Sequence, residues 1–419
     1  MLDVMATLDP ARGLTSGWKV AKPSPPDHPL WSIAVDIGGL GARGAAEAEY
    51  PLHLVGACGA SRTDATVRAA GEAVERYALL PRRAGGPRRR VGTTAAPDTL
   101  DFAAESLGDP SAAGEPMTWY EGRWLGSGEP VWLPAGLVDY PASTRWFDPT
   151  PSGAAAGGDL DFALRGALLE TIERDAVAVA WAAEAGLTAL DPDAELAAAP
   201  RTQPWRQISA LWTSTCEAGL TVNLVEVTTG LPGVHCVLAA VVDRTRGRTL
   251  AAVGVKAHPD WGRAILIALQ EALQVRAALL GIADTIGGAP VHAVRDDIDR
   301  ARLWLSEPAV AELERRLRDL PVRTARIRDV PAAPVSPETL VRGMIADGAR
   351  PAAVELTGRL PEAHRAMGWR VVKVIAPGYQ PLRMDETTSF GWRHDRIDAV
   401  RRRHGLTTGI HATFPHPLI

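Results

Sequence analysis

ALRGALLETIERDAVAVAWAA, residues 163–183, is the stretch on which the reading of this chain turns. Its apolar side chains follow one another round nearly every face, which marks a helix buried on all sides. The polar residues fall in one short block: Glu170, Glu173, Arg174 and Asp175. A spacing of three puts Glu170 and Glu173 on one face. Two further segments share this build. ATVRAAGEAVERYALL (65–80) holds Glu72, Glu75 and Arg76, and AILIALQEALQVRAALLGI (264–282) holds Gln270, Glu271, Gln274 and Arg276.

In an ordinary helix an ExxE pair is a solvated stripe. Inside apolar helices the carboxylates are buried and need partners. Two of them about 5 Å apart repel by roughly 3 kcal/mol at an effective dielectric of about 20. Three such helices converging on one site hold together only if arginines and divalent cations neutralise them. Mg²⁺ prefers carboxylate, water and phosphate oxygens, so Mg²⁺ with a bound nucleoside triphosphate is the simplest completion. A purely structural Arg–Glu network is the competing reading.

Composition sets the outer limits. With 419 residues, 46% of them hydrophobic, the chain is long and apolar enough for a sizeable core. Its 45 Lys+Arg against 49 Asp+Glu give a net charge of −4, so nothing electrostatic points to nucleic acid or an anionic membrane. Cys58, Cys216 and Cys236 are odd in number and lack CxxC spacing, which argues against a disulfide framework or a structural zinc and fits a reducing cytosol. The N-terminus lacks the apolar run of a signal peptide, and no stretch approaches ~18 uninterrupted apolar residues. The expectation is a soluble, cytoplasmic protein.

Periodicity predicts strands at SIAVDI (32–37) and PLHLVGA (51–57), a Gly turn at Gly59, and a helix over 65–80. Residues 81–98 and 107–117 read as loops, Asp161–Ala183 as a helix and 186–204 as a connector. TVNLVEV, VHCVLAAVVD and TLAAVGV look like successive strands of one sheet, before a helix over Trp261–Leu280. Short helices (308–318, 336–347) and the strands AAVELT and RVVKVIA follow. The fold class expected is α/β (α+β), one unit over residues 1–419 with a lead-in at 1–30 and a proline-containing tail at 410–419. Gly39, Gly41 and Gly44 match GxGxxG, but only AAEAEY follows before Pro51. That is too short for the crossover a dinucleotide-binding fold needs, so the glycines read as a flexible connection.

The same segments, in order, resemble the YcaO family from about residue 10 to the C-terminus. GASRTDATVRAAGEAVERY (59–77) is similar to its turn and SxxExxER helix, and TPSGAAAGG (150–158) with LLETIERDAVAVAW to its small-residue loop and ExxERDA helix. HPDWGRAILIALQEALQVR (258–276) resembles the ExxQxR helix, VVKVIAPGYQPL (371–382) the PG-x-QP segment, and FPHPLI (414–419) the proline-rich tail of azoline-forming members.

The resemblance implies a YcaO-type fold of mixed sheets and an ATP- and Mg²⁺-dependent enzyme that modifies the backbone of a ribosomally made precursor peptide. It implies that Glu72, Glu75, Glu170, Glu173 and Glu271 handle Mg²⁺ and phosphates. Arg76, Arg174, Gln274 and Arg276 would orient the nucleotide, with Gly59 and Ser61 on the phosphate side. Pro415, Pro417 and the terminal carboxylate of Ile419 would reach the active site, the prolines stiffening the arm; a disordered tail is the alternative. The departures are local. Cys58 stands where the family turn carries Lys, Arg68 where its helix carries Ser, and Ser152 beside Gly153 where an Asn is usual. Arg68, one turn before Glu72, offers a substitute positive charge. Cys58 itself reads as a packed residue rather than a nucleophile, the run Arg82–Arg90 as a solvated loop, and His235 and Trp181 as core.

The leading functional expectation is thiazoline or oxazoline formation by a stand-alone cyclodehydratase. Thioamide formation with a TfuA-type partner, macroamidine formation, and a degenerate non-catalytic scaffold stay open. Little precedes the first matching segment, so a separate recognition protein or direct reading of the peptide is expected, and a homodimer is left open.

Overall fold

The computed structural model describes residues 2–25, 28–37, 53–81, 85–96, 98–142, 144–286, 291–323, 335–409 and 414–419. The GxGxxG glycines, Arg82, Arg83 and the start of the tail lie outside them. Strands β1 (Thr15–Ala21), β2 (Trp31–Ile37) and β3 (Leu54–Gly59) form a three-stranded sheet. The lead-in is therefore part of the fold: β1 pairs with β2 along its length. β4 (Arg89–Gly92), β5 (Met117–Trp124), β6 (Pro130–Pro134) and β7 (Ala154–Gly157) begin a second sheet. β8 (Leu187–Leu190), β9 (Thr221–Val227), β10 (His235–Asp243), β11 (Leu250–His258) and β12 (Val322–Arg323) make a third, in the order β11-β10-β9-β8-β12. β13 (Ala352–Glu355) and β14 (Arg370–Ile375) return to complete the second as β4-β5-β13-β14-β7, with β6 also on β5. Among the described strand pairs only β12 on β8 is parallel, beside an isolated parallel bridge between Thr99 and Trp132. The fold class is thus mixed α and β without a doubly wound sheet.

Three helices carry the acid pairs: α1 (Arg62–Leu79), α2 (Leu160–Ala183) and α3 (Trp261–Ile286). β10 is apolar almost throughout because both of its faces are covered. Val237, Ala239 and Val241 pack with Ala264, Ala268, Leu269 and Ala272 of α3. The alternate residues, Cys236, Leu238, Ala240 and Val242, pack with Ile172, Ala176 and Ala180 of α2. α1 joins the other two sheets, its Ala69, Ala73 and Val74 clustering with Ile33 and Val35 of β2 and with Val354 and Val371 of β13 and β14. The three helices therefore face one another where the sheets meet. Gly254 makes this approach possible on β11: a Cβ there would collide with the Ala268 carbonyl and Ala272 nitrogen of α3.

Several short elements escape the periodic reading. The loop at 81–98 contains β4, the loop at 107–117 runs into β5, and the connector at 186–204 contains β8 and a helix, Pro192–Ala197. β4, β8 and the Pro192–Ala197 helix are four to six residues each, too brief to establish a period. A further helix, Gln203–Glu217, follows the connector. By length and composition Trp261–Thr285 would cross a bilayer. Its buried Ala264, Ile265, Ala268 and Leu269 lie against β10, which is the setting of a core helix.

Candidate active site

Glu173 and Glu271 are fixed by the free edge of the third sheet. β11 is its edge strand, and its outward N–H groups alternate. Val255 N–H donates to Glu271 Oε2 at 3.0 Å and Ala257 N–H to Glu173 Oε2 at 2.7 Å. Two helices thus cap one strand edge with carboxylates that keep oxygens for other work. Around them stand the remaining acids. Arg76 Nε lies 2.8 Å from Glu72 and 3.8 Å from Glu75, while Arg174 lies 3.6 Å from Glu170 and 3.5 Å from Glu173.

Two lysines complete the cluster. Lys256 Nζ is 3.3 Å from Glu173 Oε2. Lys373 Nζ donates to the carbonyls of Thr150 (2.7 Å) and Ser152 (2.5 Å), holding the small-residue loop against β14. In that loop Gly153 takes a φ of +82°, which a side chain would resist. The motif reading passed over both lysines, although they are two of only four in a chain with 45 basic residues.

Burial and the mutual repulsion of the carboxylates dominate the electrostatics of the cluster. Burial raises the Glu75 carboxyl well above its ordinary range, and Glu72 and Glu170 push the same way. Burial likewise raises Glu170, and lifts Glu271 to about 7. Burial draws Lys373 down to about 8 against the pull of Glu170 and Glu75. Burial works against the charge on Lys256 too, but Glu173 foremost, with Glu170 and Glu271, raises its pKa. Carboxylates that burial and mutual repulsion make reluctant to ionise, as at Glu75, Glu170 and Glu271, suit a site that takes Mg²⁺ and phosphate. Among the described residues no three His, Cys, Asp or Glu side chains are grouped so as to hold a metal ion by themselves.

Two cavities flank the cluster. One, of about 1050 Å³, is lined by Glu72, Arg76, Gln274, Tyr140, Asp297 and Ile419. The other, of about 750 Å³ and mostly apolar, is lined by Arg174 and Lys373 together with Thr150, Ser152, Tyr379 and Phe390. The chain's last residue thus shares a cavity with the acid cluster. Its arm is anchored: Trp181 Nε1–H donates to the Phe414 carbonyl (2.7 Å), and Arg300 (2.8 Å) and Trp304 (3.1 Å) donate to that of His416. Pro415 lies half-buried and Pro417 buried along this arm.

Other expected residues sit differently. Gln274 spans from α3 to β3, accepting from Cys58 N–H (2.9 Å) and donating to the Gly56 carbonyl (3.1 Å). Gly59 ends β3 against the first turn of α1, and the Ser61 hydroxyl caps that helix by accepting from Asp64 N–H. Arg276 does not join the acid cluster. It is buried against Asp243, giving Nε and Nη2 to one carboxylate oxygen at 2.9 and 2.6 Å. Arg68 is engaged as well, by Gln270 (2.8 Å) and Asp64 (3.4 Å). Asp175 faces away, clamped by both Nε and Nη2 of Arg396. Cys58 is packed, its thiol 3.2 Å from the Ser32 hydroxyl and raised in pKa by burial. His28 continues that chain by bonding Ser32.

The sequence matches the YcaO family, described as YcaO cyclodehydratase, ATP- and Mg²⁺-binding, over residues 56–380. It is 29% identical over 355 residues to an uncharacterized protein of Methanothermobacter thermautotrophicus, covering 78% of this chain and 82% of that one. It is 28% identical over 294 residues to an uncharacterized protein in the tfuA 3′ region of Rhizobium leguminosarum bv. trifolii, covering 67% of this chain and 65% of that one. The fold is similar to that of YcaO from Methanopyrus kandleri bound with AMPPCP and Mg²⁺, with a TM-score of 0.64, 21% identity and coverage of 90% and 89%. It is also similar to a heterocyclase in complex with substrate and cofactor, with a TM-score of 0.74 and 19% identity; the match covers 99% of this chain and 56% of that one. The chain belongs to the YcaO family of ATP- and Mg²⁺-binding proteins.

Proposed function

We propose that this protein is an ATP-dependent cyclodehydratase acting on a ribosomally made peptide. A Cys, Ser or Thr side chain of the substrate adds to the preceding amide carbonyl, and the oxygen so formed takes the γ-phosphoryl group of ATP. Phosphate then leaves with that oxygen, giving a thiazoline or oxazoline. An amide oxygen is a poor leaving group and its phosphate ester a good one, so the protein's share is positioning and charge stabilisation.

Glu72, Glu75, Glu170, Glu173 and Glu271 are the residues that would hold Mg²⁺, which supplies neutralisation of the polyphosphate. Arg76, Arg174 and Gln274 orient the nucleotide. Arg276, held by Asp243, supports α3 instead. The terminal carboxylate of Ile419 is the proton acceptor for the attacking group. The observation that carries this reading is the shared cavity of Ile419, Glu72 and Gln274. The free thiols Cys58, Cys216 and Cys236 are in keeping with a reducing, cytoplasmic setting.

A second reading, thioamide formation with a TfuA-type partner, is favoured by the relative found in a tfuA 3′ region. Calorimetric titration of MgATP into wild type and Glu173→Ala tests the common ground: binding in the first and its loss in the second are expected. Absence of binding to wild type would leave a scaffold. Product mass then separates the chemistries, since cyclodehydration loses one water and thioamidation exchanges oxygen for sulfur.

A further inference from the structure

Lys256 sits between the two residues whose N–H groups hold Glu173 and Glu271, so its backbone is fixed at the centre of the acid cluster. Its side chain is not so held. Lys373, 1% exposed, spends its ammonium on two backbone carbonyls, and Arg76 is bound to Glu72 at hydrogen-bond distance. Among the described residues the polar contact of the Lys256 ammonium is the 3.3 Å ion pair with Glu173, and its side chain is 26% exposed against 2% for its partner. An ammonium carries three donors on a flexible four-carbon stem, so this one has both spare donors and freedom to swing.

Charge dictates where it would swing. The cluster holds Glu72, Glu75, Glu170, Glu173 and Glu271 against Arg76, Arg174, Lys256 and Lys373, one negative charge in excess when all are ionised. With its carboxylate given to a divalent cation, Glu173 would no longer pair with Lys256, and the two cations would repel. A half-buried ammonium without a counter-charge is costly, and the polyphosphate that enters with the metal is the nearest one.

We propose that Lys256 is a phosphate-binding residue: paired with Glu173 in the free protein, its ammonium transfers to the polyphosphate of bound ATP. This rests on MgATP occupying the acid cluster. Isothermal titration of MgATP into wild type, Lys256→Met and Lys256→Arg, with thermal unfolding of the ligand-free proteins, tests it. A charge-assisted hydrogen bond is worth about 1.5–3 kcal/mol, so Lys256→Met should bind about 10- to 150-fold more weakly. Lys256→Arg should recover part of that affinity, and the ligand-free melting temperatures should stay close to wild type. Lys256→Gln, which keeps a donor for Glu173, serves with the same expectation if Lys256→Met does not fold. MgATP affinity equal to wild type in a folded Lys256 variant lacking the charge overturns the proposal. Failure of wild type itself to bind overturns the acid-cluster site, and the role of Lys256 with it.

Discussion

Replacing Arg276 by Met decides whether this side chain serves the nucleotide or the fold. The guanidinium is 2% exposed and gives two donors to Asp243 Oδ2, at 2.9 and 2.6 Å. Once it is gone, Asp243, fully buried, keeps the Thr245 N–H (2.8 Å) and hydroxyl (2.7 Å) among its described partners. Breaking a buried ion pair from one side costs about 3–5 kcal/mol, because the other charge is left unpaired. The surviving bonds from Thr245 put this case at the low end, about 3 kcal/mol. With a urea m-value of about 3 kcal/mol/M, the unfolding midpoint should fall by about 1 M. Adding Asp243→Asn removes the stranded charge, so the double variant should lose about 1–3 kcal/mol less than the sum of the singles.

The pH dependence has a definite sign. Burial alone would raise the Asp243 pKa, but hydrogen bonds from Thr245 and Arg276 bring it below the usual value. A depressed carboxylate contributes stability that is present at neutral pH and lost as pH falls through its folded pKa. Arg276→Met should therefore shrink the acid-side loss of stability. MgATP affinity of the folded variant should stay within about threefold of wild type. An unchanged urea midpoint together with lost MgATP binding would refute this reasoning and make Arg276 a nucleotide ligand.

Three further outcomes are expected. MgATP affinity should rise with pH through about 7, where the buried Glu271 gives up its proton, by at most about tenfold per proton displaced per pH unit; calorimetry in two buffers of different ionisation enthalpy reads the proton release, and none would count against the site. Trp304→Phe removes one donor to the His416 carbonyl, about 1 kcal/mol, and should make the C-terminus about fivefold more available to carboxypeptidase and lower turnover while MgATP binding holds. Loss of both together would point to a general structural failure instead. Burial lifts the Asp148 carboxyl to about 6 despite N–H bonds from Met384 and Asp385, so the folded state holds its proton more tightly than the unfolded one. Its share of the stability should fall by about 2 kcal/mol between about pH 4 and 6, so Asp148→Asn should change the slope of stability with pH by that amount in chemical denaturation; an unchanged slope would clear Asp148 of the effect.

The helical rotation of about 100° per residue explains which parts of the polar blocks were legible. Glu170 and Glu173, and Glu271 and Gln274, differ by three positions, so each pair shares a face whatever the tertiary fold. Asp175 is two residues beyond Glu173, about 160° away by the shorter arc, and meets Arg396 on the other side of α2. Arg276 is five beyond Glu271, about 140° round, and meets Asp243. Rotation alone removes both from the acid face; only packing names their partners, because Asp243 and Arg396 come from distant parts of the chain.

Local pattern determined the three buried helices, the neighbouring strands β9, β10 and β11, and the concentration of acids that must be neutralised. These follow from spacing and from the cost of burying charge, which act within a few residues. Tertiary structure alone decided that the edge N–H groups of β11 anchor Glu173 and Glu271 and that Lys256 and Lys373 complete the cluster. It also decided that Ile419 shares a cavity with Glu72. A lone lysine on a strand or a residue at a chain end has no period to betray it. Its role exists only once a sheet edge, a loop or a docked arm brings a counter-charge beside it.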